Sequence, residues 1–261
     1  MRDRTFKQRI IAFVDILGFS RIVERMSKED HLFPVIRDVL EDLDRKSLDV
    51  QDYRHKKRDT RIRARRQGVT SIVEDSDLQM TAFSDCYVLS EVSTAWRVLA
   101  AVQSLGSRLL AEGILTRGGI VHGDAYHHRR VLFGPGIIQA YRLESEVAKY
   151  PRILVAESVR RAVWDYHEGR WKGRLLKQDV DGCWFVNLLV PSLSSWALIA
   201  DTTTDQDPPT YLRSLRKALV KEWSRATGDA SHMSKVWWLI HRFNKEAEKE
   251  GIEPITRAKS S

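Results

Sequence analysis

Residues 9–25 read RIIAFVDILGFSRIVER, and the fold follows from how they are parsed. The apolar run from Ile10 to Val14 predicts a strand buried on both faces, ending on Asp15. Gly18 then supplies a turn, and from residue 19 the apolar positions Ile22, Val23 and Met26 change to helical spacing. That pattern continues through Phe33, Ile36, Val39 and Leu40 to about residue 44, with Pro34 predicting a kink or a division into two helices. A buried strand that ends on a carboxylate, with a glycine turn behind it, asks for a chemical explanation.

Outward from this unit, 78–90 (LQMTAFSDCYVLS) predicts two strands joined tightly at Ser84–Asp85. Trp96, Leu99, Val102, Leu105 and Leu109 predict a helix over 94–112, closed by Gly113. A pair of strands follows in ILTRGGIVHGDAYHHRRVLFG, and then a helix over 135–149 opened by Pro135. RILVAES predicts a short strand, followed by a helix to about Tyr166. GRLLKQDVDGCWFVNLLV predicts a hairpin turning at Asp181–Gly182. Residues 210–226 and 231–250 predict two amphipathic helices, either a separate unit or a clasp on the first. Helices alternate with hairpins, so the expected class is α+β, an antiparallel-rich sheet with helices on one face. The expected division is 1–200, with a basic insertion at about 45–70, followed by a helical tail over 205–261.

The formal charge of +8 suits anionic partners without choosing among them. Much of it falls in RHKKRDTRIRARR at 54–66, which lacks interleaved aromatics apart from Tyr53, so a solvated insertion is favoured over a nucleic-acid surface. Cys86 and Cys183 are the only cysteines and form no CxxC pair, which argues against a disulfide framework or a zinc site. With no long apolar run and no apolar leader after MRDRTFKQR, the expectation is a cytoplasmic chain without a membrane span.

Asp15 and Asp85 each stand at the tip of a strongly apolar strand. Singly, Asp15 reads as well as a helix cap, and Asp85 as a turn residue. If the strands are neighbours, the two carboxylates converge, and each raises the other's proton affinity unless a cation relieves the repulsion. Oxygen donors of this kind suit Mg²⁺ or Mn²⁺. The turn LGFS would bring backbone N–H groups and a helix N-terminus beside the metal, a place for phosphate.

FVDILGFS and FSDCYVLS resemble the first and second metal motifs of the class III nucleotidyl cyclases. LTRGGIVHG and FGPGIIQAYRLES resemble the strand and the arginine-bearing helix that follow in the same family. The resemblance runs from about residue 9 to about residue 190, with the four motifs in order. It implies that the chain adopts the ferredoxin-like cyclase catalytic fold. It implies that Asp15 and Asp85 bind two divalent ions, Mn²⁺ or Mg²⁺, with the Ile16 carbonyl as a further ligand. It implies that backbone around Leu17, Gly18 and Phe19 cradles the triphosphate and that Arg142 meets the α-phosphate as the catalytic arginine. Structurally, Arg142 reads instead as an exposed arginine paired with Glu146. The site would be shared between two chains, so a homodimer is implied.

The sequence departs from the adenylate enzymes where their ribose-orienting asparagine lies: Ile138 stands there, with Gln139 beside it as the substitute. The adenine-reading lysine and aspartate are also missing, their places falling near Gln79 or Thr81 and on Val131. The pattern is most similar to the Pycsar cyclases, bacterial anti-phage enzymes that make cyclic UMP or cyclic CMP for a separate effector. Phe13, Gln79, Thr81 and Val131 are then the implied walls of a pyrimidine pocket, with UTP placed ahead of CTP. The reading from another class is a catalytically silent nucleotide-binding module with this fold.

His122, His127 and His128 read as turn or surface residues rather than metal ligands. Arg117 reads as the partner of a carboxylate in the sheet, and Lys177 as solvent-facing rather than as a triphosphate-binding lysine. Trp223, Trp237 and Trp238 read as core or dimer contacts.

Overall fold

A computed structural model of the chain describes residues 5–39, 41, 77–92, 95–167, 175–191 and 207–256. The basic insertion expected at 45–70 lies outside them.

Strand β1 (Lys7–Ile16) runs through the middle of the sheet, as its unbroken apolar run requires. It is followed by α1 (Phe19–Met26) and by a second helical stretch, α2, over residues 32–39. Pro34 falls in the first turn of α2, where its missing N–H costs nothing, so two helices form instead of one kinked helix. Strands β2 (Gln79–Phe83) and β3 (Cys86–Glu91) form a hairpin, helix α3 spans Ala95–Ala111, and β4 (Thr116–His128) pairs with the short β5 (Val131–Phe133). Helix α4 (Pro135–Arg142) runs into a π-helical turn, Leu143–Val147. Then come β6 (Ile153–Val155), α5 (Glu157–His167), β7 (Leu176–Gln178) and β8 (Trp184–Val186). The chain closes with α6 (Pro208–Ala226) and α7 (Ala230–Lys249).

The strand order is β2-β3-β1-β4-β6-β8-β7, with β5 attached to β4. β1 is antiparallel to both β3 and β4, and only the β4–β6 pair is parallel among the described strands. The first four strands form a split βαβ pair: β3 lies between β1 and β2, and β1 between β3 and β4. The protein is thus α+β, with an antiparallel-rich sheet and helices.

Period-two alternation divides the buried residues between the two faces. Ile10, Ala12, Val14 and Ile16 share a core with Val98, Leu99, Val102 and Leu109 of α3. Ile11 instead packs with Val88, Val121 and Ala140 on the opposite face. The expectation of helices on one face is therefore corrected, because α4 lies on the second. The sequence permits this through glycine. A Cβ on Gly119 would stand 2.6 Å from the Ala140 carbonyl oxygen, and one on Gly136 would stand 3.0 Å from the Gly123 carbonyl carbon of β4. Helix and strand approach too closely for any larger residue.

Helix α3 is buried almost all round, because α6 covers its outer side. The Tyr211 hydroxyl donates to the carbonyls of Ser107, at 3.1 Å, and Leu188, at 2.7 Å. Leu215, Leu219, Val236 and Phe243 of α6 and α7 belong to the same core as Ile10 and Leu99. Of the two arrangements expected for these helices, the structure has the clasp. Among the described residues, no helix is long and apolar enough to cross a membrane.

Candidate active site

The last residues of β1 are gripped from both sides. The Ile16 N–H donates to the Asp85 carbonyl at 2.7 Å, and the Leu17 N–H donates to the Leu115 carbonyl at 2.9 Å. Asp15 lies opposite Cys86 on one side and Arg117 on the other. Asp85 follows Ser84, which takes a left-handed φ of 45°, in the two-residue β2–β3 turn. The register therefore brings Asp15 and Asp85 to the same end of adjacent strands. Gly18, at φ 70° and ψ 28°, reverses the chain so that α1 begins directly behind Asp15. Nothing lies within 4 Å of where a Cβ would be, so the dihedral and not crowding asks for glycine here. No side chain caps α1. The Leu17 N–H, however, is spent on Leu115, which leaves Gly18 and Phe19 to supply the expected backbone cradle.

The electrostatics of this end are unbalanced. Arg117 Nη2 stands 3.8 Å from Asp15 Oδ2 and also pairs with Glu144 of the π-helical turn. Glu144 is 2% exposed. The pairing expected of Arg117 is thus present, with two carboxylates rather than one. Burial raises the Asp15 carboxyl above its ordinary range; Arg117 and Lys235 oppose this and Asp85 adds to it. Burial raises Glu144 in the same way, with Arg117 opposing and Asp15 adding. The half-buried Cys86 thiol is pushed up to about 11, by burial first and then by the charges of Asp85, Asp15 and Glu144. Three carboxylates act on one thiol while one arginine pairs with two of them.

Such an end gains from further positive charge. Its donors are hard oxygens, from the Asp15 and Asp85 carboxylates and the Ile16 carbonyl opposite Asp85. Among the described residues, no three His, Cys, Asp or Glu side chains form a ready cage. A cation held by two carboxylates, with water and ligand oxygens completing its shell, is the arrangement Mg²⁺ and Mn²⁺ favour, and these residues fit it.

The other expected residues lie on the same face. Gly119, Phe13, Val88 and Thr81 form one row across β4, β1, β3 and β2. Phe13 meets Tyr141 of α4 edge to face, with centroids 5.5 Å apart. The β4–β5 arm folds back over this face, and its hydrogen bonds form a directed chain. Arg9 Nε donates to the Ser90 hydroxyl at 2.7 Å, and that hydroxyl bonds His127 Nδ1 at 2.7 Å. Nε2 of the same ring bonds the Thr81 hydroxyl at 2.9 Å, which donates to the Arg129 carbonyl at 2.7 Å. Because Thr81 spends its proton on Arg129, the order of donors assigns His127 the neutral tautomer protonated at Nε2. The Gln79 carbonyl oxygen accepts from the Arg129 N–H at 3.1 Å, and its amide donates to Asp77. Gln79 and Thr81 are thus buried with their polar groups committed within the chain, whereas Val131 is exposed on β5. Gln139 and Ile138 are exposed on α4. Arg142 is exposed at the end of that helix and makes no ion pair among the described residues, with Glu146 or any other.

Two sequence-based expectations are corrected. His127 is 5% exposed and holds the arm in place, while His122 and His128 are at the surface as expected. Lys177 is not free in solvent, since it pairs with Glu246 of α7. Sequence reasoning missed Glu144 and the Arg9–Ser90–His127 chain. A charged Arg9 opening a buried strand was the one local signal of that chain.

No family model matches the chain, and no curated protein matches it. Two solved structures share 17% identity with it at a TM-score of 0.38, each over 70% of this chain. One is the catalytic core of a rhodopsin-guanylyl cyclase with converted specificity in complex with ATPalphaS, covered over 97% of its length. The other is the monomeric guanylyl cyclase domain of a RhoGC fusion protein from the aquatic fungus Blastocladiella emersonii, covered over 96%. What the site does must follow from this chain's own residues.

Proposed function

We propose that the chain is a nucleotidyl cyclase that converts a pyrimidine nucleoside triphosphate, UTP ahead of CTP, to its 3′,5′-cyclic monophosphate and pyrophosphate. The observation that carries this reading is the convergence of Asp15 and Asp85 at one sheet end with an uncapped glycine turn directly behind. Asp15, Asp85 and the Ile16 carbonyl would hold two divalent ions, which when bound would supply acidification of the ribose 3′-hydroxyl and charge balance for the phosphates. The Gly18 and Phe19 N–H groups bind phosphate oxygens. The ribose 3′-hydroxyl gives its proton to water, and its oxygen bonds to the α-phosphorus as the bond to the pyrophosphate oxygen breaks. Arg142 offsets the charge that grows on the α-phosphoryl oxygens.

Arg142 points to solvent, which supports its donation to the site of a second copy, and the homodimer is part of the proposal. Ile138 and Tyr141, exposed large apolar side chains on the same helix, support a contact surface between copies. Phe13, Gln79, Thr81 and Val131 surround the base, and Gln139 orients the ribose. Val131 offers no carboxylate to an adenine amino group, which favours a base other than adenine. The cyclic product serves as a second messenger in bacterial anti-phage defence, a reading that rests on the resemblance to the Pycsar cyclases alone. A silent nucleotide-binding module is the second reading, favoured by Ile138 in place of the ribose-orienting asparagine.

The test is product analysis. The protein is incubated with Mn²⁺ and each of ATP, GTP, CTP and UTP, and mass spectrometry reads the product. Cyclic UMP, absent with Asp85→Ala, is the expected result. A cyclic purine overturns the base reading, and no product from any nucleotide favours the silent module. Mixing Asp85→Ala chains with Arg142→Ala chains restores part of the activity if sites are shared, and restores none if each chain works alone.

A further inference from the structure

Of Asp15, Arg117 and Glu144, the last is the anchored one. It belongs to the π-helical turn Leu143–Val147, and turns of this kind are rare and concentrate at functional sites. The turn is seated on the bare backbone of Gly119, where a Cβ would stand 2.9 Å from Leu143 Cβ and 3.1 Å from the Glu144 nitrogen. The Glu144 side chain is itself buried, so close packing leaves neither its backbone nor its carboxylate room to follow a moving partner. Arg117 lies two residues before Gly119, on the same face of β4. It is only partly buried, as is Asp15 opposite it.

Arg117 Nη2 pairs closely with Glu144, whereas Asp15 Oδ2 is 3.8 Å from the same nitrogen, outside hydrogen-bond distance. Nε of the guanidinium is buried and has no hydrogen-bond partner among the described residues. Arginine commonly closes on a carboxylate with both prongs of its fork, and a buried donor left unused needs a reason.

We infer that Glu144 is a positioning residue that holds Arg117 off Asp15, so that the Asp15 oxygens stay open to a divalent cation. This rests on Asp15 being a metal ligand of the proposed cyclase. A carboxylate closed by a guanidinium presents its lone pairs to N–H donors, and a cation must first displace the arginine. With Glu144 drawing the same guanidinium away, that displacement is already made when the chain folds. Asp15 keeps a positive charge nearby without giving up its oxygens.

Glu144→Gln keeps the shape and removes the charge. In the metal-free crystal structure of that variant, Arg117 is expected to close to hydrogen-bond distance of Asp15. Mn²⁺ is the probe of the consequence, titrated into the full chain and read from the free-ion signal in electron paramagnetic resonance. Its affinity is expected to fall about tenfold in Glu144→Gln, the strength of one charge-assisted contact. Adding Arg117→Met frees Asp15 again and should bring the affinity back to within about twofold of the unaltered protein. A Glu144 that only supports the π-helical turn would leave the double variant as weak as the single one. Glu146→Gln, exposed on the same turn, controls for the loss of one negative charge and changes nothing. Urea midpoints check folding, and Glu144→Asp, whose shorter side chain draws back from Arg117, replaces Glu144→Gln if that variant does not fold. An Arg117 that stays in place in the variant, or Mn²⁺ binding that is unchanged by it or absent from the unaltered protein, overturns the inference even where cyclic product forms. If Arg117 closes, the affinity falls and no nucleotide is cyclised, Glu144 keeps its role and the cyclase reading fails.

Discussion

Two arginine–carboxylate clusters of this protein are built in opposite ways. In one, Arg152 pairs with Asp179 and Asp181, and Arg242 pairs with Asp179. Arg242 also lies 3.6 Å from the centroid of the Trp238 ring. Two cations meet two anions, and the hydrogen bond from Arg152 holds the Asp181 carboxyl down at about 2. In the other, one arginine serves Asp15 and Glu144 with Asp85 close by, and both Asp15 and Glu144 are raised. The first cluster is complete within the chain and joins α7 to the β7–β8 hairpin. The second is left short of positive charge, which is how a folded chain reserves room for cations and anionic ligands.

The widest gap between the clusters is expected in activity. Asp15→Ala should lower turnover by roughly three orders of magnitude, about 4 kcal/mol, through loss of the metal and of transition-state charge balance. The same assay on Asp179→Ala, done below its melting temperature, should show a far smaller loss.

Stability should rank the same two sites in reverse. Asp179→Ala leaves Arg152 and Arg242 without their shared buried anion and should cost about 3 kcal/mol in urea unfolding. Asp15→Asn removes a carboxylate that already lacks compensation and should cost little. Equal costs would abolish the distinction.

Divalent ions sharpen it further. At a concentration about thirtyfold above its dissociation constant, Mn²⁺ should stabilise the protein by about 2 kcal/mol. Asp15→Asn should remove most of that gain, and Asp179→Ala should leave it intact, read as the shift of the urea midpoint.

The smallest effect lies away from both clusters, at His127. Burial first, with Arg9 adding to it, holds its pKa at about 3 in the folded protein, against 6.5 ordinarily. Between those values the unfolded chain binds a proton that the folded chain does not. Stability should therefore rise with pH across that window, by about 1.4 kcal/mol per unit from this residue. In urea unfolding at pH 5 and pH 6, His127→Asn should lack that share of the slope, while equal slopes would refute the buried neutral ring.

The element order was legible because strand and helix periods are local. Asp181–Gly182 marked the last hairpin, and Gly182 indeed takes a φ of 81°. Asp15 and Asp85 were legible because each interrupts an apolar run at its end. The placing of α4 on the second face was not, since it depends on Gly119 meeting Ala140 and Gly136 meeting Ile11 across long separations. Lys177 was misread because its partner, Glu246, is 69 residues away.

By itself, then, the sequence determined the α+β class, the strand that ends on Asp15, the hairpin that ends on Asp85 and the glycine between strand and helix. Each of these is a matter of neighbours along the chain. Only the tertiary structure decided that one arginine serves two carboxylates, that a buried neutral histidine fastens the β4–β5 arm, and that Lys177 meets Glu246 of α7. Charge balance depends on distance in space, and the fold joins residues that the sequence keeps far apart.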